Sequence, residues 1–224
     1  MDKLCYIFLY FVFYSIIGYV CEVFYVYLGD KKWVNRGFLH GPYIPIYGNG
    51  AMIVSLALMH VKKDSFIIFL VGLVLCSLLE YITSYVMEKI FHNRWWDYSE
   101  RKYNLNGRVC LQNSVLFGLG SVAIIYVFNP LFNKLYNALG FKIALYVAIV
   151  LFIIMLVDFS ISFFEAIKVS NIASHLDKFM EEFEKKKEST KRIKTRLMEA
   201  YPYLVKRNFK FLDKIKNYKK KSKN

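Results

Sequence analysis

The sequence has 224 residues, 56% of them hydrophobic, and 31 Lys and Arg against 17 Asp and Glu give it a formal net charge of +14. It also holds 20 Phe and 18 Tyr. Few soluble domains have such an apolar and aromatic composition, which excludes an ordinary water-soluble protein and indicates a membrane protein.

Five apolar segments follow one another along the chain, and most charged residues lie in the gaps between them. Each segment is close to or longer than the roughly 20 residues that a helix needs to cross about 30 Å of hydrocarbon. The segments are Leu4–Leu28, Tyr43–Val61, Ser65–Ile90, Leu111–Leu131 and Phe141–Lys168. The sequence therefore predicts an all-α membrane domain of five transmembrane helices over residues 1–168.

The distribution of lysine and arginine predicts the orientation of these helices. The first and third gaps contain three and five basic residues, whereas the second and fourth contain two each. Because basic loops stay in the cytoplasm, we expect the first and third gaps to be cytoplasmic. In the cytoplasmic membrane of a bacterium, the N-terminus is then outside the cell and the C-terminus is in the cytoplasm.

Residues 169–224 form a separate, strongly basic tail with 17 Lys and Arg and 7 Asp and Glu. Apolar residues at Ile172, Leu176, Phe179 and Phe183 follow a 4-3-4 spacing that predicts a cytoplasmic helix, which Pro202 should end or kink. The lysines beyond Pro202 are expected to attract anionic lipid head groups. A solvated tail that only enforces topology is the alternative, and nucleic acid is not an expected partner.

A self-comparison of the sequence indicates an internal repeat. Placing Gly18–Phe38 over Cys76–Trp96 aligns Glu22 with Glu80 and Arg36 with Arg94. The sequence thus predicts two parallel two-span repeats, residues 4–61 and 65–132, related by a pseudo-twofold axis along the membrane normal. Coincidence in a sequence of low diversity is the alternative.

Two irregular polar segments occupy equivalent places in the proposed repeats. They are NRGFLHGPYIPIYGNG at residues 35–50 and FHNRWWDYSERKYNLNGRVCLQN at residues 91–113. Irregular backbone near a membrane is tolerated where protein or a water-filled cavity satisfies its polar groups, so we expect both loops to line a vestibule facing the cytoplasm. The alternative is a pair of ordinary interfacial loops whose tryptophans lie in the aromatic belt.

The candidate binding residues for this vestibule are polar and ionisable side chains of the spans and of the two loops. Ionisable groups within spans usually face the bundle interior, and arginine forks suit carboxylate or phosphate groups. Tyrosine, histidine and asparagine side chains of the two loops complete the set. The candidates are Glu22, Arg36, His40, Tyr43, Tyr47, Glu80, Arg94, Asp97, Asn106, Arg108 and Asp158. The sequence predicts no catalytic residue, metal site or cofactor.

Three strings within these segments carry a family resemblance: NRGFLHGPYIPIYGNGA (35–51), DYS (97–99) and NLNGRVCL (104–111). Together they resemble a bacterial family of type IV ABC-transporter permease-like membrane proteins, over Gly18 to about Gly120. The chain has Tyr19 where the family commonly has Trp, and Ile44 where it commonly has Cys. The resemblance implies a membrane-embedded permease subunit.

Motifs that would power or perform chemistry are missing from the sequence. Without a GxxxxGK[ST] phosphate loop, this chain cannot act as the ATPase, so a permease role requires a separate ATP-binding subunit. Without GxSxG or HExxH, a non-enzymatic role is favoured. Two alternatives remain: a lipid-modifying membrane enzyme using Asp97, Glu100 or His92, and a non-catalytic scaffold or regulator.

Overall fold

The computed structural model describes residues 2–31, 37–58, 64–92 and 94–200. Its elements are α1 (Asp2–Asp30), α2 (Pro45–Ala57), α3 (Ser65–Phe91), β1 (Asn104–Leu105), β2 (Val109–Cys110), α4 (Leu111–Ala123), a π-helix (Ile124–Phe128) and α5 (Asn129–Ala200). The chain divides into two compact units, residues 1–170 and 171–224. Backbone of the second unit is helical as far as Ala200, and Pro202 with the lysines after it lies outside the described residues.

Three stretches among the described residues are long and apolar enough to cross a membrane: Asp2–Leu28, Ser65–Phe91 and Leu111–Lys168. The protein is therefore an all-helical membrane protein, whereas the five predicted spans are not all separate helices of full length. The predicted span over 43–61 contains α2, which at 13 residues is shorter than a bilayer requires. The predicted fourth and fifth spans lie within one helical stretch of 58 residues.

Local sequence sets where the helices begin and end. Pro45 occupies the first turn of α2, where a missing N–H costs no hydrogen bond. The carboxylate of Asp64 caps α3 by accepting hydrogen bonds from the backbone N–H groups of Phe66 and Ile67, at 2.8 and 3.4 Å. At the other end, His92 takes a left-handed conformation with φ 55° and stops α3.

Neighbouring helices pack antiparallel through small residues. In the first pair, Gly48 of α2 lies against Ser15 of α1, where a Cβ at Gly48 would be 2.5 Å from the carbonyl oxygen of Phe11. In the second pair, Gly72 of α3 lies against Ser121 of α4, so closely that a Cβ would overlap the serine. Such small residues allow helix backbones to approach closely inside a membrane protein.

The chain reverses direction at Gly140, inside the stretch assigned as α5. Its φ of 69° and ψ of 155° are non-helical. Before Gly140, Phe132 contacts Tyr10 and Tyr136 contacts Tyr6, with ring centroids 5.2 and 5.0 Å apart. This part therefore runs along α1 toward the N-terminus of that helix.

Beyond Gly140 the chain runs back along α1, toward the C-terminal end of that helix. The rings of Phe152 and Phe8 are 5.8 Å apart, and Met155 packs in a buried cluster with Val12. A straight helix would separate Tyr136 from Phe152 by about 24 Å, yet their partners Tyr6 and Phe8 are two residues apart on α1. Residues 129–139 and 141–168 therefore form a helical hairpin.

A polar network crosses the apolar interior between α1, α2 and this hairpin. The hydroxyls of Tyr10 and Tyr14 both donate to Oδ1 of Asn129, at 2.7 and 2.6 Å. Tyr10 is also hydrogen-bonded to Ser55 of α2 at 2.5 Å. Asn129 directly follows the π-helix and precedes Pro130, which lacks the N–H that an α-helix would need.

One end of the bundle carries most of the polar side chains described below. The C-terminal ends of α1 and α3 and the N-terminal ends of α2 and α4 meet there, together with residues 158–165 of α5, and we name it the polar end. It includes the β1–β2 hairpin, whose turn is formed by Asn106 and Gly107 with φ of 54° and 69°. Asn-Gly is the favoured sequence for a turn that needs two positive φ angles.

Candidate functional site

Asp158 of α5 receives the loop that precedes α2. Its Oδ2 accepts hydrogen bonds from the backbone N–H of Gly41 at 2.9 Å and from the hydroxyl of Tyr43 at 2.5 Å. Its Oδ1 accepts from the backbone N–H of His40 at 3.0 Å and from the hydroxyl of Ser162 at 3.2 Å. Only 11% of the Asp158 side chain is exposed, so a buried carboxylate holds the loop onto α5.

The His40 ring extends this arrangement along α5. Its Nδ1 lies 2.9 Å from the Ser162 hydroxyl and 3.2 Å from Oδ1 of Asp158, and its Nε2 lies 3.2 Å from Oε2 of Glu165. The side chains of His40 and Glu165 are both 60% exposed. We call His40, Gly41, Tyr43, Asp158 and Ser162 the Asp158 cluster.

A second group of residues surrounds Glu80 of α3. Only 6% of this residue is exposed, and its Oε1 accepts a hydrogen bond from the hydroxyl of Tyr98 at 3.2 Å. Burial raises the pKa of the Tyr98 hydroxyl, and the neighbouring Glu80 raises it further, so Tyr98 remains a neutral donor.

Glu22 of α1 lies near enough to Glu80 for their charges to interact, and its own Oε2 accepts a hydrogen bond from the Tyr47 hydroxyl at 2.8 Å. Each carboxyl group thus pairs with one phenol. Glu22, Tyr47, Glu80 and Tyr98 form the Glu80 cluster.

The third group is built on Arg108, which is only 8% exposed. One guanidinium nitrogen lies 2.5 Å from Oε2 of Glu88, and another donates to the Ser84 hydroxyl at 3.2 Å. The rings of Tyr81 and Tyr85 face the guanidinium carbon at 5.7 and 5.4 Å, a cation–π arrangement. These contacts fix the β1–β2 hairpin against the last turns of α3.

Arg94 shares the same carboxylate. Its Nε lies 3.2 Å from Oε2 of Glu88, and Nη1 donates to the carbonyl oxygen of Asn106 at 3.3 Å. The side-chain amide of Asn106 donates in turn to the hydroxyl of Tyr81 at 3.0 Å. Arg94, Arg108, Glu88 and Asn106 form the Arg108 cluster.

Asp97 stabilises the turn that precedes β1. The hydroxyl and the backbone N–H of Ser99 both donate to its Oδ1, at 2.5 and 2.9 Å, and Nη1 of Arg94 lies 3.8 Å away. The hydrogen bonds from Ser99 lower the pKa of the Asp97 carboxyl, and Arg94 lowers it further. A carboxylate so engaged is a poor proton donor near neutral pH, so Asp97 lends no support to the lipid-enzyme alternative.

The two polar loops contact each other at the polar end. The ring of Phe38, in the loop before α2, lies 5.7 Å from that of Phe91 and 5.2 Å from that of Trp95. Tyr47 and Tyr98 lie near enough for their hydroxyls to interact electrostatically. The first loop is thus packed against the second rather than spread separately over the bundle.

The sequence-predicted candidates occupy three neighbouring groups. His40, Tyr43 and Asp158 belong to the Asp158 cluster; Glu22, Tyr47 and Glu80 to the Glu80 cluster; Arg94, Asn106 and Arg108 to the Arg108 cluster, with Asp97 beside it. Arg36 lies outside the described residues.

Participants that the sequence analysis did not select as candidates include Ser162, Tyr98, Glu88 and Asn129. Glu88 had a signal, since it aligns with Asp30 in the repeat, and Tyr98 lies in the DYS string. The contacts of Ser162 with His40 and of Asn129 with Tyr10 join distant parts of the chain, which no local pattern marks.

The chemistry available at the polar end is acidic and phenolic inside, with Arg94 and Arg108 both engaged by Glu88. Such a surface can hold cations or hydrogen-bond donors through its carboxyl groups, whereas Arg108 is already occupied. Among the described residues no group of His, Cys, Asp and Glu is arranged to hold a metal ion.

Sequence comparisons place this arrangement in a known family. No curated protein sequence matches the chain, and neither does any solved structure. A family sequence model described as "Putative ABC-transporter type IV" matches residues 9–163, which include α1 from Leu9 onward, α2 to α4, both polar loops and Asp158. The chain therefore belongs to this type IV ABC-transporter family.

Proposed function

We propose that this chain is the membrane-embedded, permease-like subunit of a transporter, with the polar end forming a vestibule that faces the cytoplasm. The observation that carries the proposal is the joining of two irregular loops at one end of an apolar bundle, over buried acidic groups. Phe38 contacts Phe91 and Trp95, and the carboxyl groups of Asp158 and Glu80 lie beneath the loops. Family membership agrees with this role.

Two features support a five-span arrangement within this proposal. The 58-residue stretch Leu111–Lys168 would be about 87 Å long as one straight helix, far more than one bilayer crossing. Its reversal at Gly140 leaves two helical lengths of more than 20 residues each, as separate fourth and fifth spans require. Helix α2 packs antiparallel to α1 and would complete the first pair.

The same geometry bears on the proposed repeat and orientation. Each predicted half contributes one interior glutamate that accepts a hydrogen bond from a later tyrosine: Glu22 from Tyr47, and Glu80 from Tyr98. The tyrosines do not align at the offset of 58, so the parallel repeats remain a proposal. The basic residues of the second loop lie at the polar end, which favours placing that end and the C-terminal tail in the cytoplasm.

Energy for transport would come from a separate ATP-binding chain that docks at the polar end. The test is purification of the tagged protein from its native cells in mild detergent, followed by mass spectrometry. Arg101→Glu reverses a surface charge at the polar end. Lys134→Glu is the matched control, because Lys134 is exposed on the helical hairpin, near the reversal at Gly140 and away from the polar end. We expect a stoichiometric nucleotide-binding chain that is lost in the first variant and kept in the second.

Two results would contradict the proposal. Wild-type protein that purifies without a nucleotide-binding chain, under conditions that preserve known transporter complexes, would remove the permease role. A bound ATPase that both variants retain equally would show that the polar end is not its docking face.

A further inference from the structure

One oxygen of Glu80 is buried inside the bundle without a well-formed hydrogen bond. Oε1 accepts the hydrogen bond from Tyr98, whereas Oε2 is inaccessible and has no hydrogen bond of acceptable geometry; the neutral side-chain amide of Asn113 is a further donor near the carboxyl group. An ionised carboxylate left in this state costs several kcal/mol, and buried charges are normally paired or neutralised. The ionised form of Glu80 would therefore require a further positive charge beside it.

Protein groups around Glu80 do not supply that charge. They come from every neighbouring element: Glu22 of α1, Tyr47 of α2, Cys76 of α3 itself, Tyr98 of the polar loop, Cys110 of β2 and Asn113 of α4. Each of these is neutral or acidic. The guanidinium of Arg108 is not free to compensate Glu80. It donates to Ser84, one helical turn beyond Glu80, and it is already paired with Glu88.

We propose that Glu80 is a proton-binding site whose buried carboxyl group is held in its neutral, protonated form, with Glu22 as the neighbouring acid. Two carboxyl groups close enough to interact cannot both ionise cheaply, so one proton removes both the repulsion and the unpaired buried charge. A proton needs a single oxygen, whereas an alkali metal ion needs a shell of several oxygens. Here both phenolic hydroxyls already donate to the carboxyl groups.

Glu22 is the neighbouring acid, and it is partly exposed next to the exposed Cys21, whereas Glu80 is buried. The proposal does not depend on an ATPase partner, so either idea can fail without the other.

The test is infrared spectroscopy of the whole protein in lipid nanodiscs at neutral pH. We expect the C=O stretching band of a protonated carboxyl, with a shift in D2O. Glu80→Gln, which resembles the neutral acid in shape, should fold and lose the band. Glu165→Gln, at a side chain that is 60% exposed, is the matched control and should keep it.

A second variant keeps the test decisive even if Glu80→Gln does not fold. Tyr98→Phe leaves the acid in place and removes the hydrogen bond to its Oε1, so the band should shift, while Tyr103→Phe at an 81% exposed ring should not change it. Glu22→Gln should keep the band, because the proton is held by Glu80.

Three results would overturn the proposal. One is the absence of the band from the wild-type protein at neutral pH. Another is a band that neither Glu80→Gln nor Tyr98→Phe alters. The third is a band that disappears when Na+ is added at constant pH, which would identify an alkali metal ion as the ligand.

Discussion

Replacing Asp158 by asparagine isolates the bond between the first polar loop and α5. Each oxygen of the carboxylate receives two donors: His40 N–H and the Ser162 hydroxyl on one, Gly41 N–H and the Tyr43 hydroxyl on the other. Asparagine offers one oxygen and turns an NH2 group toward the other two donors. Whichever way the amide faces, one backbone N–H of the loop loses its acceptor.

The expected cost follows from that lost acceptor. A hydrogen bond to a charged group contributes about 1.5–3 kcal/mol, so opening of the loop should become easier by about 2–3 kcal/mol. At 1.4 kcal/mol for each factor of ten, that corresponds to roughly 30- to 150-fold faster amide exchange where the loop must open first. The His40 or Gly41 amide should show this change, and the protein should remain folded.

Hydrogen–deuterium exchange with mass spectrometry on peptides covering residues 37–44 measures the effect. Glu165→Gln is the control, because it removes only an exposed contact to His40 and should change exchange by less than about threefold. If both loop amides exchange within twofold of wild type in Asp158→Asn, the carboxylate does not hold the loop and the Asp158 cluster has been misread.

Three further substitutions probe other contacts through reversible unfolding in detergent micelles. Gly48→Ala, whose Cβ would overlap α1, should destabilise the protein by about 1–3 kcal/mol, whereas Gly120→Ala, with no atom within 4 Å, should be neutral; equal stability of the two would refute close helix packing. Arg108→Lys keeps the charge but loses the planar fork, and we expect a loss of about 2 kcal/mol; an unchanged midpoint would mean that the fork geometry adds nothing beyond the charge. Tyr98→Phe removes a donor from a buried acid and should cost about 1–3 kcal/mol, against no change for the exposed Tyr103→Phe; a loss in both would point to ring packing instead.

Hydropathy predicted the helices well where it reports directly on burial in lipid. The first and third predicted spans, Leu4–Leu28 and Ser65–Ile90, differ from α1 and α3 by two residues or fewer at each end. The second predicted segment, Tyr43–Val61, also starts within two residues of α2, at a boundary that Pro45 and the extended Ile44 fix, but it runs four residues past the end of that helix at Ala57.

The contacts of the site were harder to anticipate than its residues. Arg94 aligns with Arg36 and was a candidate for binding a carboxylate or phosphate group in the vestibule, yet it pairs with Glu88 of α3. The reason is local: the Asn106-Gly107 turn folds the second loop back on α3, and Asn-Gly in the sequence could have shown it. Nothing local could have shown that Asp158 holds Gly41, because 117 residues separate them.

The hydrogen bonds of Asn129 have a consequence for how the bundle can move. They tie α1 and the helical hairpin together and, through Tyr10 and Ser55, include α2. Sliding one helix past another would break all of these bonds in an apolar interior, where unpaired polar groups are costly. Tilting about Asn129 would keep them and produce the largest displacement at the far ends of the helices. The network thus acts as a pivot, and the loops of the polar end are among the parts that such a tilt displaces most.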